Sequence, residues 1–600
     1  MSKNNKRTYR NIQDYGAIGD LHTAALVGVD GSIDWYCYPN FDSPSVFAAI
    51  LDVQKGGYFQ ICTASEGDCR QIYFPDTNVL ITRFLCEEGV GEITDLMPIT
   101  PYRTEILRGI VRRVSSVKGT ISFVLRCMPA FNYARATHEV LIKDFGAEFR
   151  NSNLALELVT TIPVDRADSG VEATFSLREG TTTSFFLTQT NESRAPSEDD
   201  AQRMFHDTVD YWRDWLSRCQ YRGRWSSQVT RSALALKLMT FEPTGAVIAA
   251  PTSSLPEVVG GERNWDYRYV WLRDAAFTLY ALLRVGFKEE AAAFMQYLKA
   301  RISESSSGQL QPVYRINGQH DLHEEILSNL DGYKGSKPVR VGNAAAWQLQ
   351  LDLYGALVDA VYLFNKHVTP ISYDLWTNLT RILDWVCENW TKPDAGIWEF
   401  RTDGKQLVYS KMMCWVALDR GIRLAMKRGL PCNIDRWRQA RDAVYDDVMR
   451  KGWDKERQSF VQSYGSKTVD ASALLMPLVF FVSPTDPRML KTLDVIQREL
   501  TSDHLVHRYR INADGDGLPG EEGTFSLCTF WLVEALTRAG RLEEARVIFE
   551  RMLGYANHLG LYSEEISPRG NARGNFPQAF THLALISAAV NLDRALGASQ

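Results

Sequence analysis

Several features that mark specialised classes of protein are missing from this sequence of 600 residues. No window approaches the ~18 consecutive apolar residues of a membrane-spanning helix. The charged N-terminal segment is not followed by the apolar run of a secretory signal. With 67 lysines and arginines against 72 aspartates and glutamates, the net charge of -5 offers no basic surplus for nucleic acid or an anionic membrane. We therefore expect a cytoplasmic protein without nucleic-acid or membrane partners.

The sequence also lacks residue groupings that are typical of metal sites. Its ten cysteines are scattered without CxxC spacing, and its ten histidines form no HxxxH or HExxH pattern. Reduced, mostly buried thiols are expected in a cytoplasmic chain of this size. The run from Asn512 to Gly517 begins like a calcium loop, but its twelfth position is Gly523, where such a loop requires glutamate. We predict a polar turn there, and neither a metal nor a cofactor.

Aromatic residues, in contrast, are plentiful, with 15 tryptophans and 25 tyrosines. Their rings fill cores, but they also stack on the C–H faces of sugars while keeping a polar edge. The chain is too long for one ordinary compact core, and its composition of 45% hydrophobic and 23% charged residues is that of a globular protein. We expect two domains or one very large one, and a homo-oligomer is an open possibility.

The first third of the chain has the pattern of short strands. The run ALVGVDGSIDWYCYP places Asp30 and Gly31 between two β-rich segments, which predicts a hairpin. Alternating, β-branched runs separated by glycine turns continue to about Thr190. We predict an N-terminal β-sandwich over residues 1–196.

A helical period begins at Ser197 and continues almost to the end of the chain. The segment SEDDAQRMFHDTVDYWRDWLSRC starts with serine and an acidic turn, so we predict a helical linker over residues 197–228. About twelve apolar helical segments follow, at 229–241, 273–286, 288–302, 343–364, 371–390, 406–429, 433–451, 469–482, 486–500, 525–539, 542–557 and 577–596. Twelve helices with chemistry in alternate loops suggest an (α/α)6 barrel over residues 229–600, although periodicity alone does not establish closure of the ring.

Two loops of this helical region carry carboxylates that could act together. GIWEF places Glu399 beside Trp398 in a glycine-containing loop, a setting that raises the pKa of a carboxyl group towards use as a general acid. LYSEEISP places Glu564 and Glu565 in a similar loop near the end of the chain. Glycoside hydrolysis requires such a pair. Glu399 could instead be an ordinary helix N-terminal or loop carboxylate that makes surface contacts.

Several stretches resemble glycoside hydrolase family 15, which includes glucoamylases, glucodextranases and bacterial trehalases. They are RNWDYRYVWLRDAAFTLYALLRVGF, PVRVGNAAAWQLQLDLYG, GIWEF with SKMMCWVALDR, EEGTFSLCTFWLVEAL and LYSEEISPRGNARGNFPQAFTHLALI. The N-terminal run YGAIGDLHTAALVGVDGSIDWYCYPNFDSPSVFAAILD is similar to the β-domain that precedes the catalytic domain in bacterial, archaeal and trehalase-like members. The resemblance covers nearly the whole chain in order. It implies a β-sandwich, a helical linker and an (α/α)6 barrel.

The resemblance assigns the two catalytic positions. Glu399 matches the family's general acid and Glu564 its general base, with the neighbouring Glu565 as the alternative base. In the family a second carboxylate often follows the acid, whereas Phe400 follows Glu399 here, so the second-sugar contacts at that position do not carry over. An inverting pair stands ~6.5–9.5 Å apart, because a water molecule must fit between the base and the sugar. We expect a wetter, hydrogen-bonded setting to keep Glu564 ionised.

The resemblance also assigns contacts to the substrate. Arg273 and Asp274 match the pair that binds the outer hydroxyls of the non-reducing glucose, although a helix cap with a local ion pair is the alternative. Tyr267 matches a tyrosine beside the developing oxocarbenium centre, and Arg508 matches an arginine at the next sugar position. The other predicted pocket, sugar-contact or capping residues are Trp271, Trp398, Glu521, Glu522 and Glu565.

The implied activity is that of an inverting, exo-acting hydrolase that releases β-glucose from the non-reducing end of an α-glucoside. Trehalose competes as substrate with α-glucans and malto- or isomalto-oligosaccharides, and both the lack of a secretion signal and the trehalase-like N-terminal run favour a small intracellular substrate. A catalytically silent carbohydrate-binding protein and a phosphorolytic relative are the other hypotheses. The presence of both carboxylates favours hydrolysis over either of them.

Overall fold

The computed structural model describes residues 7–99, 108–189, 195–510 and 522–597. Its N-terminal part contains sixteen strands: β1 Tyr15–Gly19, β2 Ala24–Gly28, β3 Ser32–Cys37, β4 Ser45–Phe47, β5 Tyr58–Thr63, β6 Gly67–Tyr73, β7 Leu80–Cys86, β8 Gly89–Leu96, β9 Gly109–Gly119, β10 Ile121–Met128, β11 Glu139–Lys143, β12 Gly146–Arg150, β13 Ala155–Val159, β14 Asp165–Ala167, β15 Gly170–Leu177 and β16 Thr182–Gln189. One sheet has the order β1-β2-β3-β5-β10-β15-β14 with β4 beside β3, and the other has the order β11-β12-β13-β16-β9-β8-β7-β6.

The two sheets pack against each other through apolar side chains and one buried ion pair. The ring of Phe175 in β15 lies 5.4 Å from that of Phe185 in β16 of the other sheet. The fully buried Arg112 of β9 pairs with Asp95 at 2.7 Å and donates to the carbonyl oxygen of Phe59 in the opposite sheet, also at 2.7 Å. A buried charge is tolerated when it is paired and hydrogen-bonded in this way. The predicted β-sandwich is confirmed.

The predicted hairpin at Asp30 and Gly31 joins β2 to β3, which pair antiparallel. Gly31 has a φ of 74°, and a Cβ atom at this position would lie 2.2 Å from the carbonyl oxygen of Ile61. The turn therefore requires glycine both for its backbone conformation and for the close approach of β5.

Two helices precede the barrel. The short helix α1, Phe131–Ala134, follows β10, and α2, Glu198–Ser217, lies within the predicted linker. The hydroxyl of Ser197 accepts a hydrogen bond from the backbone N–H of Asp200, whose carboxylate accepts one from the backbone N–H of Ser197. This capping box is the start signal that the serine and the acidic turn predicted.

The remaining helices form two concentric rings. They are α3 Ser226–Leu238, α4 Ala275–Val285, α5 Lys288–Glu304, α6 Asp352–His367, α7 Tyr373–Asn389, α8 Val408–Arg428, α9 Ile434–Lys451, α10 Pro487–Leu500, α11 Ser526–Arg538, α12 Leu542–Leu553 and α13 Ala579–Ala595. Contacts run in a closed circle from α4 through α6, α8, the 3₁₀ segment Ala471–Leu475, α11 and α13 back to α4, and the other helices pack outside this circle. The ring closes, so the predicted (α/α)6 barrel is confirmed.

Two of the twelve predicted helical segments depart from a regular helix. Residues 469–482 contain only the 3₁₀ segment Ala471–Leu475, because Pro477 has no backbone N–H and its ring obstructs a continuing helix. The predicted helix at 343–364 begins only at Asp352. The residues before it form a 3₁₀ turn and an extended stretch that place the amides of Gln348 and Gln350 beside the Glu399 loop.

Short strands brace the loops of the barrel. They are β17 Thr240–Phe241, β18 Ala246–Val247, β19 Ser253–Pro256, β20 Asn264–Asp266, β21 Val270–Trp271, β22 Val313–Tyr314, β23 Glu325–Ile326, β24 Arg340–Val341, β25 Trp453–Asp454, β26 Ser459–Phe460, β27 Thr501–Ser502, β28 Leu505–Val506, β29 Thr524–Phe525, β30 Glu565–Ile566 and β31 Ala572–Arg573. Among the helices of the described residues, none is long and apolar enough to cross a membrane.

The β-sandwich packs against the residues that precede β19 and those that follow β20. The indole N–H of Trp35 donates to the carbonyl oxygen of Pro251 at 2.7 Å. The fully buried Arg268 pairs with both carboxylate oxygens of Asp266, at 2.8 and 2.6 Å, and reaches the carbonyl oxygen of Ser43 in the sandwich at 2.7 Å. The N-terminal domain therefore supports the backbone on either side of Tyr267.

Candidate active site

The loops at one end of the barrel surround a pocket that contains most of the predicted site residues. Those that line it are Tyr267, Trp271, Arg273, Asp274, Trp398, Glu399 and Arg508. Seven polar or aromatic residues that the sequence did not indicate also line it: Glu257, Arg263, Trp265, Arg401, Phe525, Gln578 and Phe580. Glu564 lies behind Tyr267, while Glu522 and Glu565 lie behind Arg508. Glu521 and the run from Asn512 to Gly517 fall outside the described residues.

Glu399 is held in an unusual backbone conformation. Its φ is 58°, in the left-handed region that non-glycine residues rarely adopt and that costs of order 1–3 kcal/mol. The side-chain amide of Gln348 donates to the carbonyl oxygens of Glu399 and Phe400, at 3.2 and 3.1 Å. The backbone N–H of Glu399 donates to the carbonyl oxygen of Gly396 at 3.1 Å. The strained loop is thus fixed from two sides.

The Glu399 carboxylate faces donors from the neighbouring loop. The indole N–H of Trp271 donates to its Oε1 at 2.6 Å, and the guanidinium of Arg273 and the amide of Gln350 lie 3.4 Å from the same oxygen. The sequence predicted that the indole of Trp398 would lie against the Glu399 carboxyl group. In the structure the indole of Trp271 makes that contact. The Trp398 indole N–H points instead to the carboxylate of Asp470, at 2.9 Å.

Arg273 and Asp274 present unused polar atoms beside the pocket. Arg273 Nε lies 3.7 Å from Asp274 Oδ1, and within the described residues neither atom makes a hydrogen bond. Burial raises the pKa of Asp274 to about 7, against the lowering effect of Arg273. Asp274 stands at the start of α4, but its side chain makes no capping bond to that helix. Contact with sugar hydroxyls therefore fits this pair better than helix capping.

Glu564 is more deeply buried than the sequence suggested. Only 1% of the residue is exposed, so the expected wetter setting is wrong. The hydroxyl of Tyr267 donates to Oε1 at 2.5 Å, and the backbone N–H of Asn575 donates to Oε2 at 3.2 Å. Burial, with a smaller contribution from nearby Glu257, raises the pKa of Glu564 to about 8. The two donors oppose that shift and stabilise the carboxylate.

Glu565 and Glu522 belong to a separate charged cluster around Arg508. One guanidinium nitrogen, Nη2, lies 2.9 Å from Glu257, 2.7 Å from Glu522 and 3.5 Å from Glu565. The other oxygen of Glu565 accepts the backbone N–H of Gly523 at 3.0 Å. These three carboxylates are close enough to hold a metal ion, but Arg508 already supplies a positive charge to each of them. Glu565 therefore faces Arg508, whereas Glu564 faces Tyr267.

Comparison with known proteins agrees with this architecture. Residues 223–590 match the family model of glycosyl hydrolases family 15, and residues 7–173 match that of the trehalase-like N-terminal domain. A trehalase of Thermoplasma volcanium is 39% identical over 98% of this chain and 94% of its own length. A trehalase of Mycobacterium tuberculosis is 38% identical over 97% of this chain and 90% of its own length.

A solved structure shares the whole fold. The crystal structure of a bacterial glucoamylase complexed with acarbose superposes with a TM-score of 0.73 at 14% identity, and covers 99% of this chain and 96% of that chain. At that identity the likeness concerns the fold alone. Fold and sequence together define a glycoside hydrolase. The chain belongs to glycosyl hydrolases family 15, as its sequence motifs predicted.

Proposed function

We propose that this enzyme hydrolyses α,α-trehalose to two molecules of glucose, with Glu399 as general acid and Glu564 as general base. The observation that carries the substrate is the near full-length similarity to proteins named trehalase, at 38–40% identity for four of them. The likeness to glucoamylase is confined to the fold. Trehalose is therefore favoured over malto- and isomalto-oligosaccharides.

In this mechanism one glucose ring of trehalose, the ring whose C1–O bond is cleaved, binds between Arg273 and Asp274. We call it the inner ring, and the other is the departing ring. The unused Arg273 Nε and Asp274 Oδ1 lie in position to exchange hydrogen bonds with ring hydroxyls. Directional bonds of this kind reject sugars with a hydroxyl in the wrong place, since the buried polar atoms would be left unpaired.

Glu399 then protonates the oxygen between the two rings as the C1–O bond of the inner ring breaks. The carboxylate that remains accepts hydrogen bonds from Trp271 and faces the charge of Arg273, and both stabilise the negative charge that develops on it. The left-handed backbone conformation of Glu399 directs its carboxyl group towards the oxygen between the two rings. The loop therefore does not need to rearrange before protonation.

Glu564 takes a proton from a water molecule while the water oxygen bonds to C1 from the opposite face. The Tyr267 hydroxyl and the Asn575 backbone N–H hold the two oxygens of Glu564 in a fixed orientation. Burial raises the pKa of Tyr267 well above its ordinary value of 10, so its hydroxyl acts as a donor throughout. Attack with inversion gives β-glucose from the inner ring, and the departing ring remains α-glucose.

The substrate assignment is tested by comparing kcat/KM for trehalose, maltose and isomaltose under identical conditions. We expect trehalose to be preferred by at least about tenfold, which corresponds to ~1.4 kcal/mol in transition-state binding. A preference for maltose or isomaltose would contradict trehalose as substrate and leave the hydrolytic site intact. Binding of all three sugars without glucose release would favour a carbohydrate-binding protein.

A further inference from the structure

Glu257 is a buried carboxylate that lines the pocket and has no part in the steps above. It follows β19, at the turn that returns through β20 to Tyr267 and Trp271. Only 2% of the residue is exposed, yet it belongs to the pocket wall. Burying a carboxylate in this way costs free energy unless its charge is paired and its oxygens accept hydrogen bonds.

Two donors fix the orientation of this carboxylate. Trp265 Nε1 donates to Oε1 at 3.2 Å, and Arg508 Nη2 donates to Oε2 at 2.9 Å. A carboxylate offers about four lone-pair positions, so each oxygen of Glu257 has one further position for a ligand. Burial raises the pKa of Glu257 to about 6, and Arg508 opposes this shift and favours the charged form. Since Trp265 also fixes the orientation of the carboxylate, it can accept hydrogen bonds from hydroxyl groups.

Glu257 lies near Glu564, on the part of the pocket wall that Trp265, Arg401 and Arg508 also form. The Arg508 guanidinium lies over the rings of Trp398 and Phe525, at 5.7 and 4.8 Å from their centroids. The Trp265 ring lies under the guanidinium of Arg401, at 4.4 Å. Trp398 and Arg401 lie on either side of Glu399 along the loop, whereas Trp271 and Arg273 contact its carboxylate from the neighbouring segment. A departing ring on the side of Trp398 and Arg401 would therefore lie within reach of Glu257.

We propose that Glu257 determines specificity for the departing sugar by accepting hydrogen bonds from its hydroxyl groups. This assignment rests on the proposed function, since Glu399 must be the acid for the side beyond it to receive the departing ring. In the family a second carboxylate often follows the acid, but in this chain Phe400 occupies that position. Glu257, paired with Arg508, supplies a carboxylate for the departing sugar instead. The site therefore selects a departing group with hydroxyls, such as the second glucose of a disaccharide.

The test compares trehalose with 4-nitrophenyl α-glucoside, whose departing group carries no sugar hydroxyls. In Glu257→Gln, the ratio of kcat/KM for trehalose to kcat/KM for the aryl glucoside should fall about 10- to 100-fold, because a charged acceptor is lost only for the sugar. Glu262→Gln is the matched control, since Glu262 is an exposed glutamate of the same turn between β19 and β20 and does not line the pocket. It should leave the ratio within about twofold of the unmodified enzyme, as expected where no substrate contact changes.

An unchanged ratio in Glu257→Gln, or an equal fall in Glu262→Gln, would overturn the proposal. Glu257→Asp provides a second test, because it keeps the charge beside Arg508 but shortens the reach, and the ratio should again fall. If maltose proves to be the better substrate, the same ratio is measured with maltose. A failure of trehalose as substrate is then distinguishable from a failure of Glu257 as the residue that reads the departing sugar.

Discussion

At the scale of single residues, comparing substrates with different departing groups distinguishes the proposed acid, Glu399, from residues that only bind the sugar. Glu399→Gln preserves the shape of the side chain and an oxygen for the Trp271 indole. We expect kcat for trehalose to fall about 10²- to 10⁴-fold, since proton donation in the transition state is lost. The fall should be much smaller for 4-nitrophenyl α-glucoside, whose phenolate leaves without protonation. Near-normal kcat for trehalose would remove Glu399 from the acid role.

The pH profile tests the proposed base. Glu564 must be ionised to accept a proton from water, and its pKa is raised to about 8, chiefly by burial. As the pH falls through the pKa of Glu564, the carboxylate becomes protonated and can no longer act as a base. Because this pKa is raised, the loss of activity begins at a higher pH than for an ordinary glutamate. With 4-nitrophenyl α-glucoside, whose departing group needs no proton from Glu399, the acidic limb of kcat/KM should therefore lie clearly above 4.5, the ordinary value for glutamate, when measured from pH 3 to pH 9. A limb at or below 4.5 would contradict Glu564 as a buried base.

The sequence indicated residues that belong to recognisable motifs, such as Glu399, Arg273 and Tyr267, and the structure brings these three to one pocket. It did not indicate several other residues of the pocket, of which Glu257 is the clearest case. Glu257 stands in an unremarkable turn, and its partner Arg508 is 251 residues further along the chain. The adjacency of Trp398 and Glu399 was misleading in the opposite way. The left-handed backbone turns their side chains apart, and Trp271 takes the expected place.

At the scale of elements, the loop of the proposed acid depends on Asp394. Its Oδ2 accepts hydrogen bonds from the backbone N–H groups of Leu351 and Gly396 and from the hydroxyl of Ser410, at 2.9, 3.2 and 2.8 Å. These bonds fasten the start of the loop to the beginnings of α6 and α8. Asp394 therefore positions Glu399 without touching the substrate.

Asp394→Ala should lower both stability and turnover. Three buried donors lose their acceptor, at a cost of ~1–3 kcal/mol for each that stays unsatisfied. Because the acid is displaced while the inner sugar site is kept, kcat should fall by more than KM rises. Asp403→Ala, at an exposed position of the same loop, is the control and should change neither. Thermal unfolding and steady-state kinetics are measured for both variants. If Asp394→Ala behaves like Asp403→Ala, Asp394 does not position Glu399.

Element boundaries were predictable where local signals were strong. The cap at Ser197 and the turn at Gly31 agree with the structure because side-chain capping and a positive φ are local requirements. The segments at 343–364 and 469–482 were predicted as helices from their apolar content. In the structure, side chains in both regions hold the Glu399 loop instead: Gln348 bonds its carbonyls, and Asp470 bonds the Trp398 indole. Tertiary contacts of this kind leave no periodic trace in the sequence, although Pro477 is a local signal against a continuous helix at 469–482.

At the scale of the whole molecule, the β-sandwich packs directly against the backbone beside Tyr267. Arg268→Met breaks the buried pair with Asp266 and the bond to Ser43. Removing one partner of a buried ion pair costs ~3–5 kcal/mol. We expect a lower thermal midpoint together with reduced turnover, because the backbone beside Tyr267 loses its support.

The matched control is Arg126→Met, which breaks an exposed ion pair with Glu172 on the sandwich. Exposed pairs contribute only ~0–1 kcal/mol, so stability and turnover should remain close to those of the unmodified enzyme. Thermal unfolding and kcat are measured for both variants. If Arg268→Met behaves like the control, the sandwich does not hold the Tyr267 segment in place.

The central claim is that Glu399 and Glu564 hydrolyse trehalose with inversion. It is tested most directly by following the first minutes of trehalose hydrolysis by ¹H NMR, before the anomers of glucose equilibrate. Inversion at the inner ring predicts equal amounts of α- and β-glucose, because the departing ring keeps its configuration. Initial formation of α-glucose alone would show retention, and it would contradict the assignment of Glu564 as a base that activates water.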